Sequence, residues 1–468
     1  MSDRKASARG VTMEVSKWVS GLQASDIPES TRRFLRHALL DTLGCGLHGR
    51  SQPWTEIAEG WVREGGGSGL STVWGDRGPS LRASDAAMIT GIATHAFELD
   101  DFHQTKQHPG AVVIPAALAV GEKVDASGEA LLTSIAAGYE VMIRSAAAIG
   151  AGEAKARGWH ITGIAGTFGA AAASAVLLGL NAEQTAWALG LAGTQSSGLF
   201  AFTADGAMSK RLHAGQAARS GVAAAELAAA GFTGPTQIYE AVDGGFLWTF
   251  TDAGNHLPLV EALGKVWRQE STSFKPHAAC GSTHSYIDAG IELHDRYPDL
   301  SGRRVRVGQC RLVDEQCGFD YVPGTVLNAQ MSMRFCVAAS LRYGQALPGE
   351  FSTDRLSESG TVELAQRIEL VHDAEMDDIY PAHYPGWVEV ERAPGSGEFE
   401  RVSRDDPSGS IANPNKEGAM IEKFHRLMTG ILSEEQAVRL ETMAMSLEEN
   451  TARNFTGAMV YPARAAAE

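Results

Sequence analysis

Apolar residues recur every three to four positions through the first two-thirds of the chain, which is the spacing of amphipathic helices. Residues 30–49 combine a serine N-cap, apolar residues at helical spacing and glycines at the end. The same plan recurs in residues 84–101, 125–150, 181–199 and 214–232. Alanine is abundant in these segments. Because it costs least in a helix and occupies little space, it favours closely packed helices.

The pattern changes near residue 265. Residues 303–313 and 386–393 are rich in valine and are bounded by glycine or proline, so they predict strands. Helix-like segments lie around 282–297, 328–343 and 361–371, residues 393–415 predict a loop and hairpin, and helical spacing returns past residue 416. We therefore predict a mainly α protein. Its large all-helical domain comprises residues 1–267 together with 406–468, and a smaller α/β (α+β) domain occupies 268–405.

Length and composition limit the classes of function that the chain can have. The chain has 468 residues, and its 40 basic and 56 acidic residues give a formal charge of −16. An acidic chain without a basic stripe is a poor nucleic-acid binder, although a local pocket can still bind an anion. The cysteines are odd in number and form no C-x-x-C pair, and the N-terminus lacks the apolar core of a secretory signal. These features predict a protein of the reducing cytoplasm.

One segment raises the question of a membrane span. Residues 161–182 carry no charge, and their length approaches the roughly 20 residues that a span requires. However, the segment consists largely of glycine and alanine, with Gly163, Gly166 and Gly169 at helical spacing. Small residues at that spacing let helices approach closely, so we predict a helix buried in a bundle.

Titratable side chains concentrate in one stretch, "ELDDFHQTKQHPGA", at residues 98–111. Neighbouring carboxylates and imidazoles shift one another's pKa, which suits acid–base chemistry. A metal site is an alternative because Asp and His are ligands, but the spacing matches no standard pattern. A solvated polar loop is the third interpretation. The candidates are Glu98, Asp100, Asp101, His103, Lys106 and His108.

Three further polar clusters interrupt the apolar pattern. His160 precedes the uncharged helix, where a lone histidine is usually a cap or a buried neutral group. Lys210, Arg211 and His213 join two apolar helices, as either a solvated connector or a carboxylate-binding pair. Lys275, His277, Cys280 and His284 fall at the proposed domain junction, although a free cysteine is most often a small buried hydrophobe. Together the clusters suit proton transfer beside carboxylates without a metal, nucleotide or flavin.

The polar clusters and their flanks resemble the MmgE/PrpD family in order and spacing over about residues 15–445. The resemblance is carried by "ATHAFELDDFHQTKQHPGAVVIPAALAVGE", "GWHITGIAGTFGAAAASAVLLGL", "DGAMSKRLHAGQAARSGVAAAELAAAGFTGP" and "FKPHAACGSTHSYIDA", together with "LDTLGCGLHG" and "NPNKEGAMIEKFHRL". It implies a large helical domain, a smaller lid domain, a homodimer and no metal or organic cofactor. The family's activities include 2-methylcitrate dehydratase, cis-aconitate decarboxylase and iminodisuccinate epimerase.

The same resemblance assigns roles to individual residues. It places Asp101, His108, His160, Lys210 and Lys275 in the catalytic set. The histidines would be the acid–base pair, the lysines would hold carboxylates, and Asp101 would orient an imidazole or accept the proton itself. The resemblance and its neighbouring positions suggest a substrate-binding set of Glu98, Phe102, His103, Arg211, Cys280 and Tyr321.

Three of these positions depart from the family's decarboxylases, which tend to have Asp, Thr and His where this chain has Glu98, Phe102 and Cys280. The changes alter pocket shape and remove a basic group, so on these residues alone a decarboxylase is disfavoured. We therefore predict a cofactor-independent dehydratase that removes a proton α to a carboxylate of a small di- or tricarboxylate, such as a 2-methylcitrate-like acid. The alternatives are a substituted-succinate epimerase, a cis-aconitate-type decarboxylase and a non-catalytic small-molecule-binding protein.

Overall fold

The structure, a computed structural model, describes residues 8–75 and 78–460. Within them the chain forms two compact units. The first contains the residues up to Ala96, then Asp100–Thr272, and the chain from Ile421 onward. The second contains Phe97–Leu99 and Ser273–Met420. Helices dominate and the sheets are small, which confirms the predicted mainly α class. The predicted boundaries at 267/268 and 405/406 concern folding domains and stay a prediction.

The first unit is built from helices. They are α1 (Val11–Gly21), α2 (Glu29–Gly49), α3 (Pro53–Glu64), α4 (Ala83–Thr94), α5 (Gly110–Val124), α6 (Gly128–Ala148), α7 (Ala151–Ala156), α8 (Ile161–Leu177), α9 (Ala182–Gly193), α10 (Ser209–Ala229), α11 (Phe246–Thr249) and α12 (Leu257–Val260). The two-residue strands β1 (Phe102–His103) and β2 (Thr272–Ser273) follow α4 and α12, respectively.

Helix α8 lies at the centre of the first unit, packed against α6 and α10, and its residues are buried from Ile161 to Ala175. Its glycines permit this packing. A Cβ on Gly163 would lie 2.3 Å from the carbonyl oxygen of Ser197, and one on Gly169 would lie 2.7 Å from Cβ of Met142. The predicted buried helix is therefore present. Within the described residues, no helix combines the length and apolar character that crossing a bilayer would require.

Two predicted helix bounds in this unit are wrong. The helix predicted over 84–101 ends at Thr94, and the following residues up to Pro109 form turns and a short strand. The helix predicted to begin at residue 214 begins at Ser209. Lys210 and Arg211 therefore lie in the first turn of α10 rather than in a connector. Both differences concern the polar segments, where side-chain contacts override the local apolar pattern.

The second unit contains a four-stranded sheet of order β4–β3–β5–β6, formed by β3 (Val305–Gln309), β4 (Glu369–His372), β5 (Gly386–Glu391) and β6 (Phe399–Arg404). Strands β3 and β4 pair in parallel, and the other two pairs are antiparallel. The helices are α13 (His284–His294), α14 (Arg311–Cys317), α15 (Val326–Met331), α16 (Met333–Tyr343), α17 (Thr353–Leu356) and α18 (Ser359–Arg367). Helix α13 packs on β5, β6 and α16.

Both predicted strands are present, but the first is shorter than predicted, because Arg311 already begins α14. The predicted hairpin is β5–β6. The chain then leaves the second unit along α19 (Lys416–Met428) and continues into α20 (Glu434–Met445) and α21 (Ala452–Gly457). The C-terminal helices thus belong to the first unit from Ile421 onward.

Candidate active site

The segment between α4 and α5 places a buried carboxylate against two imidazoles. Nδ1 of His95, at the end of α4, donates to Oδ2 of Asp100 at 2.8 Å. Nδ1 of His108 lies 3.3 Å from the same oxygen, and all three side chains are buried. When Nδ1 of both rings carries the proton that faces Asp100, both Nε2 atoms are left as acceptors.

Burial and charge set the protonation of this group. Burial lowers the pKa of His95 to about 4, although Asp100 opposes the shift. Burial alone would raise the pKa of Asp100, but His95 and His108 hold it well below its ordinary value. Asp100 is therefore an ionised carboxylate that orients the rings, and His95 is neutral near pH 7.

A row of imidazoles extends from this carboxylate. The ring of His108 lies 4.6 Å from that of His95, which lies 6.0 Å from that of His160, the N-cap residue of α8. Nδ1 of His160 is 3.1 Å from Nδ1 of His213 on α10, so one ring donates to the other. His108 and His160 were predicted as an acid–base pair. In the structure they lie in one row, with His95 between them and His213 next to His160.

Lys210 supplies the positive charge of this imidazole row. It is buried in the first turn of α10, and its Nζ lies 5.8 Å from the ring centroid of Phe202. Burial and then the charge of Lys210 lower the pKa of His160, and the same two causes lower that of His213. The lysine thus favours neutral imidazoles around it.

Asp101 has a different environment from its neighbour Asp100. It accepts a hydrogen bond from the hydroxyl of Tyr139 at 2.7 Å and one from the backbone N–H of Gly110 at 2.8 Å. Burial raises its pKa well above the ordinary value. A Cβ at position 110 would lie 2.5 Å from Oγ1 of Thr42, which explains the glycine there. Asp101 was predicted either to orient an imidazole or to accept the proton itself; among the described contacts, the carboxylate that contacts imidazoles is Asp100.

A buried ion pair adjoins these carboxylates. Nζ of Lys423, on α19, lies 2.5 Å from Oδ1 of Asp41, on α2, and their side chains are 2% and 0% exposed. Burial raises the pKa of Asp41 to about 6, with Lys423 opposing the shift. Asp41 in turn raises the pKa of Lys423 despite its burial. The pair is therefore ionised at pH 7.

Three other predicted substrate-binding residues lie in the first unit. Nδ1 of His103 is 2.7 Å from Oγ1 of Thr105, and burial lowers the pKa of His103 to about 4. The ring of Phe102 lies 5.9 Å from that of His108. Nε of Arg211 donates to the carbonyl of Ala96 at 3.3 Å, and its guanidinium lies 4.8 Å from a ring centroid of Trp54. Phe102 is thus the one of these three in ring contact with the imidazole row, as far as the described contacts show.

The remaining predicted residues belong to the second unit. Nζ of Lys275 lies 3.2 Å from Oε2 of Glu98 and donates to the carbonyl of Ala279 at 3.3 Å. Glu98 has φ of 57°, in the left-handed region that non-glycine residues seldom occupy. Cys280 lies five residues after Lys275 in the chain. Tyr321 is buried, and its hydroxyl donates to the carbonyl of Leu356 at 2.9 Å.

Comparison with known proteins identifies the family. Residues 13–257 match the MmgE/PrpD N-terminal domain and residues 277–449 match the MmgE/PrpD C-terminal domain. The chain belongs to the MmgE/PrpD family.

Relatives of this MmgE/PrpD chain align over nearly its whole length. The cis-aconitate decarboxylase-like protein oryM of Aspergillus oryzae is 32% identical over 465 residues, 94% of each chain. The cis-aconitate decarboxylase of Aspergillus terreus is 29% identical, again over 94% of each chain. That of Homo sapiens is 25% identical over 94% of this chain and 92% of its own. The predicted family and its two-domain, mainly α fold are thereby confirmed.

One group in this MmgE/PrpD chain has the composition of a metal site. Among the described residues, His95, Asp100 and His108 offer ligand atoms that all lie within 4.8 Å of one another. Two imidazoles and a carboxylate are zinc ligands in other proteins. Here, however, the closest of these atoms, Nδ1 of His95 and Oδ2 of Asp100, already form a hydrogen bond with each other.

Several residues of this cluster and of the adjoining ion pair are absent from the predicted catalytic set. Asp100 and His213 were named only as members of polar clusters, and His95, Asp41 and Lys423 were not singled out. A signal for His95 was present: it stands five residues before Asp100 in "HAFELD". In the helix predicted there, residues five apart do not share a face, so the pairing was hidden by the wrong helix bound.

Proposed function

We propose that this MmgE/PrpD protein is a cofactor-independent carboxy-lyase acting on cis-aconitate or a closely similar tricarboxylate. One observation carries the proposal: a buried row of imidazoles, fixed at one end by an ionised Asp100 and accompanied by the cation of Lys210. The relatives named as cis-aconitate decarboxylases, similar along almost the whole chain, support the same reaction.

The structure of cis-aconitate determines which groups a catalytic site for its decarboxylation must provide. The molecule carries three carboxylates around one carbon–carbon double bond. Decarboxylation breaks the bond from the CH2 carbon to its carboxylate, and CO2 leaves. The electron pair of that bond forms a new double bond to the central carbon. The electron pair of the old double bond takes up a proton on the other alkene carbon, which gives methylenesuccinate. The reaction therefore needs one proton donor and cations that hold carboxylates.

The imidazole row supports the role of proton donor. His95 and His160 are neutral in the free protein because burial and neighbouring Lys210 lower their pKa. A bound tricarboxylate would bring negative charge next to these rings and raise the pKa of each. We therefore expect an imidazole to take up its second proton only when substrate is bound. Asp100 keeps the ring orientation constant through this step by holding Nδ1 of His95.

Lys210 is proposed as a carboxylate contact. A lysine buried beside neutral rings retains a localised charge, which is worth more where water is excluded. The sequence-based assignment of Lys275 to a second carboxylate, and of Glu98, Cys280 and Tyr321 to substrate binding, stays a prediction. Tyr321 has the weakest support because its hydroxyl already donates to Leu356.

A dehydratase is the second candidate function, although the sequence taken alone favoured it. Dehydration of a 2-methylcitrate-like acid needs removal of an α-proton and loss of hydroxide, and the same imidazoles could perform the first step. The relatives' names favour decarboxylation instead. Under this proposal, the differences from the family's decarboxylases at Glu98, Phe102 and Cys280 would change how the substrate fits the pocket. Phe102 lies near His108. The threonine that those decarboxylases tend to have at this position would be smaller and could donate a hydrogen bond.

Nuclear magnetic resonance in deuterated buffer tests the proposal. The purified protein is incubated with cis-aconitate, a 2-methylcitrate and a set of substituted succinates in parallel. We expect cis-aconitate to give CO2 and methylenesuccinate with one deuterium on its saturated carbon. Unchanged cis-aconitate, together with loss of water from the methylcitrate or α-deuteration of a succinate, would replace this proposal with the dehydratase or the epimerase. No reaction in any tube would favour the binding protein.

The proposal also adopts two predictions: a homodimer, which the resemblance implies, and a cytoplasmic location, which the cysteine pattern indicates. Light scattering coupled to size-exclusion chromatography tests the first, and fractionation of the native cells tests the second. Neither prediction is needed for the chemistry proposed above.

A further inference from the structure

Two chain segments hold the ammonium group of Lys275 in the second unit. One carries Glu98, whose Oε2 lies 3.2 Å from Nζ of Lys275. The other is the loop of residues 275–280, in which the carbonyl oxygen of Ala279 accepts from the same Nζ at 3.3 Å. The two segments lie far apart in the chain, so the place of this ammonium depends on what fixes them to each other. Contacts from Gln330, on α15, reach both segments.

The side-chain amide of Gln330 is buried and bridges two backbone carbonyl groups. Its Nε2 donates to the carbonyl oxygen of Phe97 at 2.8 Å and to that of Ala278 at 2.9 Å. Only the NH2 end of a glutamine amide can donate to two carbonyl oxygens, so these neighbours determine how the amide is oriented. Its Oε1 is also buried and has no hydrogen-bond partner among the described residues. The two donor contacts are therefore what this amide contributes to the second unit.

The backbone of Gln330 adds a third contact, to the loop of residues 275–280. Its carbonyl oxygen accepts a hydrogen bond from the backbone N–H of Cys280 at 2.9 Å. Gln330 thus holds Ala278 through its side chain and Cys280 through its backbone. These two residues flank Ala279, whose carbonyl oxygen accepts from Lys275. The position of that carbonyl group is therefore fixed from both sides by one residue.

The contact with Phe97 acts on the other segment. The carbonyl group of Phe97 belongs to the peptide bond that joins Phe97 to Glu98, and rotation about the next bond is the φ angle of Glu98. This φ is 57°, a left-handed conformation that costs free energy in a residue other than glycine. Such a conformation persists where surrounding contacts hold it. The hydrogen bond from Gln330 is one such contact, because it fixes the peptide plane from which Glu98 turns.

We propose that Gln330 is a positioning residue for the Lys275–Glu98 pair and, through that pair, for the binding of a substrate carboxylate. It holds the two groups that place the ammonium, the carboxylate of Glu98 and the carbonyl of Ala279. The role rests on the proposed function, because Lys275 is the predicted partner of a substrate carboxylate. An ammonium that is no longer preorganised binds an anion less tightly, so substrate binding is affected before the chemical step.

Gln309 provides a matched control within the same unit. It lies on β3, and Gln309 and Gln330 are 1% and 0% exposed, respectively. Nε2 of Gln309 donates to Oδ1 of Asp314 at 2.6 Å, and its Oε1 also lacks a partner among the described residues. Its described contacts do not involve the two segments that hold Lys275. The same substitution at both positions therefore removes a buried amide, but only at position 330 does it remove contacts to those segments.

Steady-state kinetics with cis-aconitate tests the role. Gln330→Leu removes both donors and keeps a side chain of similar size. We expect KM to rise by about threefold to tenfold with kcat within about twofold of the parent, whereas Gln309→Leu should leave both constants within about twofold. In a Lys275→Met background, Gln330→Leu should change KM by less than about twofold, because the charge that it positions is gone. A further rise as large as in the parent background, or an equal rise from Gln309→Leu, would overturn the proposal.

A second measurement needs no turnover. Hydrogen–deuterium exchange of the free protein, followed by mass spectrometry, reports on residues 97–99 and 275–280. Both segments should exchange faster in Gln330→Leu and as in the parent in Gln309→Leu, and unchanged exchange in Gln330→Leu would overturn the proposal. If the parent does not turn over cis-aconitate, the proposed reaction is wrong. The exchange rates, together with dissociation constants for tricarballylate from calorimetry in place of KM, then still decide the role of Gln330.

Circular dichroism checks that each variant is folded. Gln330→Met, which has an unbranched apolar side chain, replaces Gln330→Leu if that variant does not fold. Failure of both variants to fold would show that Gln330 is a structural residue and would overturn the positioning role.

Discussion

Each of the two compact units buries a lysine–carboxylate ion pair. The two pairs differ in secondary structure, in the distance between the charged atoms and in the exposure of their side chains. In the first unit Lys423 and Asp41 project from two long helices, lie 2.5 Å apart and are sealed from water. In the second unit Lys275 and Glu98 project from irregular segments and lie 3.2 Å apart, with side chains 7% and 6% exposed. Glu98 also has a left-handed backbone conformation.

We infer from this difference that the first pair is structural and that the second pair is suited to binding a ligand. A pair between two helices with no solvent fixes the helices to each other, and removing one partner leaves a buried charge. A pair on irregular backbone, with Glu98 in a left-handed conformation and slightly more exposed side chains, has features that cluster at binding sites. We therefore expect substitutions in the first pair to change stability and those in the second to change substrate binding.

The largest effect should follow from Lys423→Met, which removes the charge with little change in volume. The ionised Asp41 is left buried and unpaired, so we expect a loss of about 3–5 kcal/mol in the free energy of unfolding at neutral pH. Urea unfolding followed by circular dichroism measures it. The double variant Asp41→Asn/Lys423→Met should recover most of the loss. A loss below about 1 kcal/mol in the single variant would show that the pair does not hold α2 and α19 together.

Next in size is Lys210→Met, which tests a lysine placed among imidazoles rather than between helices. We expect turnover of cis-aconitate to fall by about 10²–10³-fold with the unfolding midpoint nearly unchanged, since the charge serves the transition state. Lys155→Met is the matched control, because Lys155 lies over the neighbouring ring of Phe200 at 5.1 Å and outside the imidazole row. Equal effects of the two substitutions would remove Lys210 from the proposed mechanism.

The first pair should also be visible in the pH dependence of stability. The pKa of Asp41 is raised from 3.8 to about 6, so between these values the folded chain binds a proton that the unfolded chain has lost. The contribution of Asp41 to stability is therefore present below pH 3.8 and is lost as pH rises through 6. Relative to the double variant, the parent should lose about 3 kcal/mol between pH 4 and pH 7. Parallel pH profiles of the two would contradict the raised pKa.

A smaller, functional effect is expected in the second pair. Lys275→Met should raise KM for the carboxylate substrate about tenfold, because it removes one charge that binds an anion. Glu98→Gln keeps an acceptor beside Lys275 but frees its charge, so KM should stay the same or fall. Steady-state kinetics on both variants separates the two outcomes. A rise in KM of the same size in both would show that the pair, not the lysine charge, maintains the site.

The smallest effect should come from metal removal. Dialysis against EDTA should leave activity within about twofold of the untreated protein, because His95 and Asp100 already satisfy each other by a hydrogen bond. Metal analysis of the protein before and after dialysis provides the control. A strong loss that a divalent ion restores would assign His95, Asp100 and His108 as ligands.

The sequence predicted most helices, the strands β3 and β5 and the β5–β6 hairpin, but most of β4 was assigned to a helix-like segment over 361–371. What depends on the path of the backbone was missed. Asp100 and Asp101 are identical side chains in adjacent positions; only the turn after Thr94 decides which one faces the imidazoles and which one meets Tyr139. Lys423 has the spacing of an ordinary amphipathic helix, and nothing local indicates that Asp41, almost four hundred residues earlier, will face it. Contacts of this range follow from packing, which no short window contains.

The hydrogen bond between His160 and His213 has a consequence for isotope experiments. Each of these rings is neutral and carries one N–H, and the bond joins Nδ1 of both rings, so one ring donates from Nδ1 while the other carries its own proton on Nε2. An additional proton on either ring would meet the repulsion of Lys210. The bridge between the two rings holds one hydrogen, so if the product receives its proton from this bridge, its label in mixed light and heavy water should vary linearly with solvent composition.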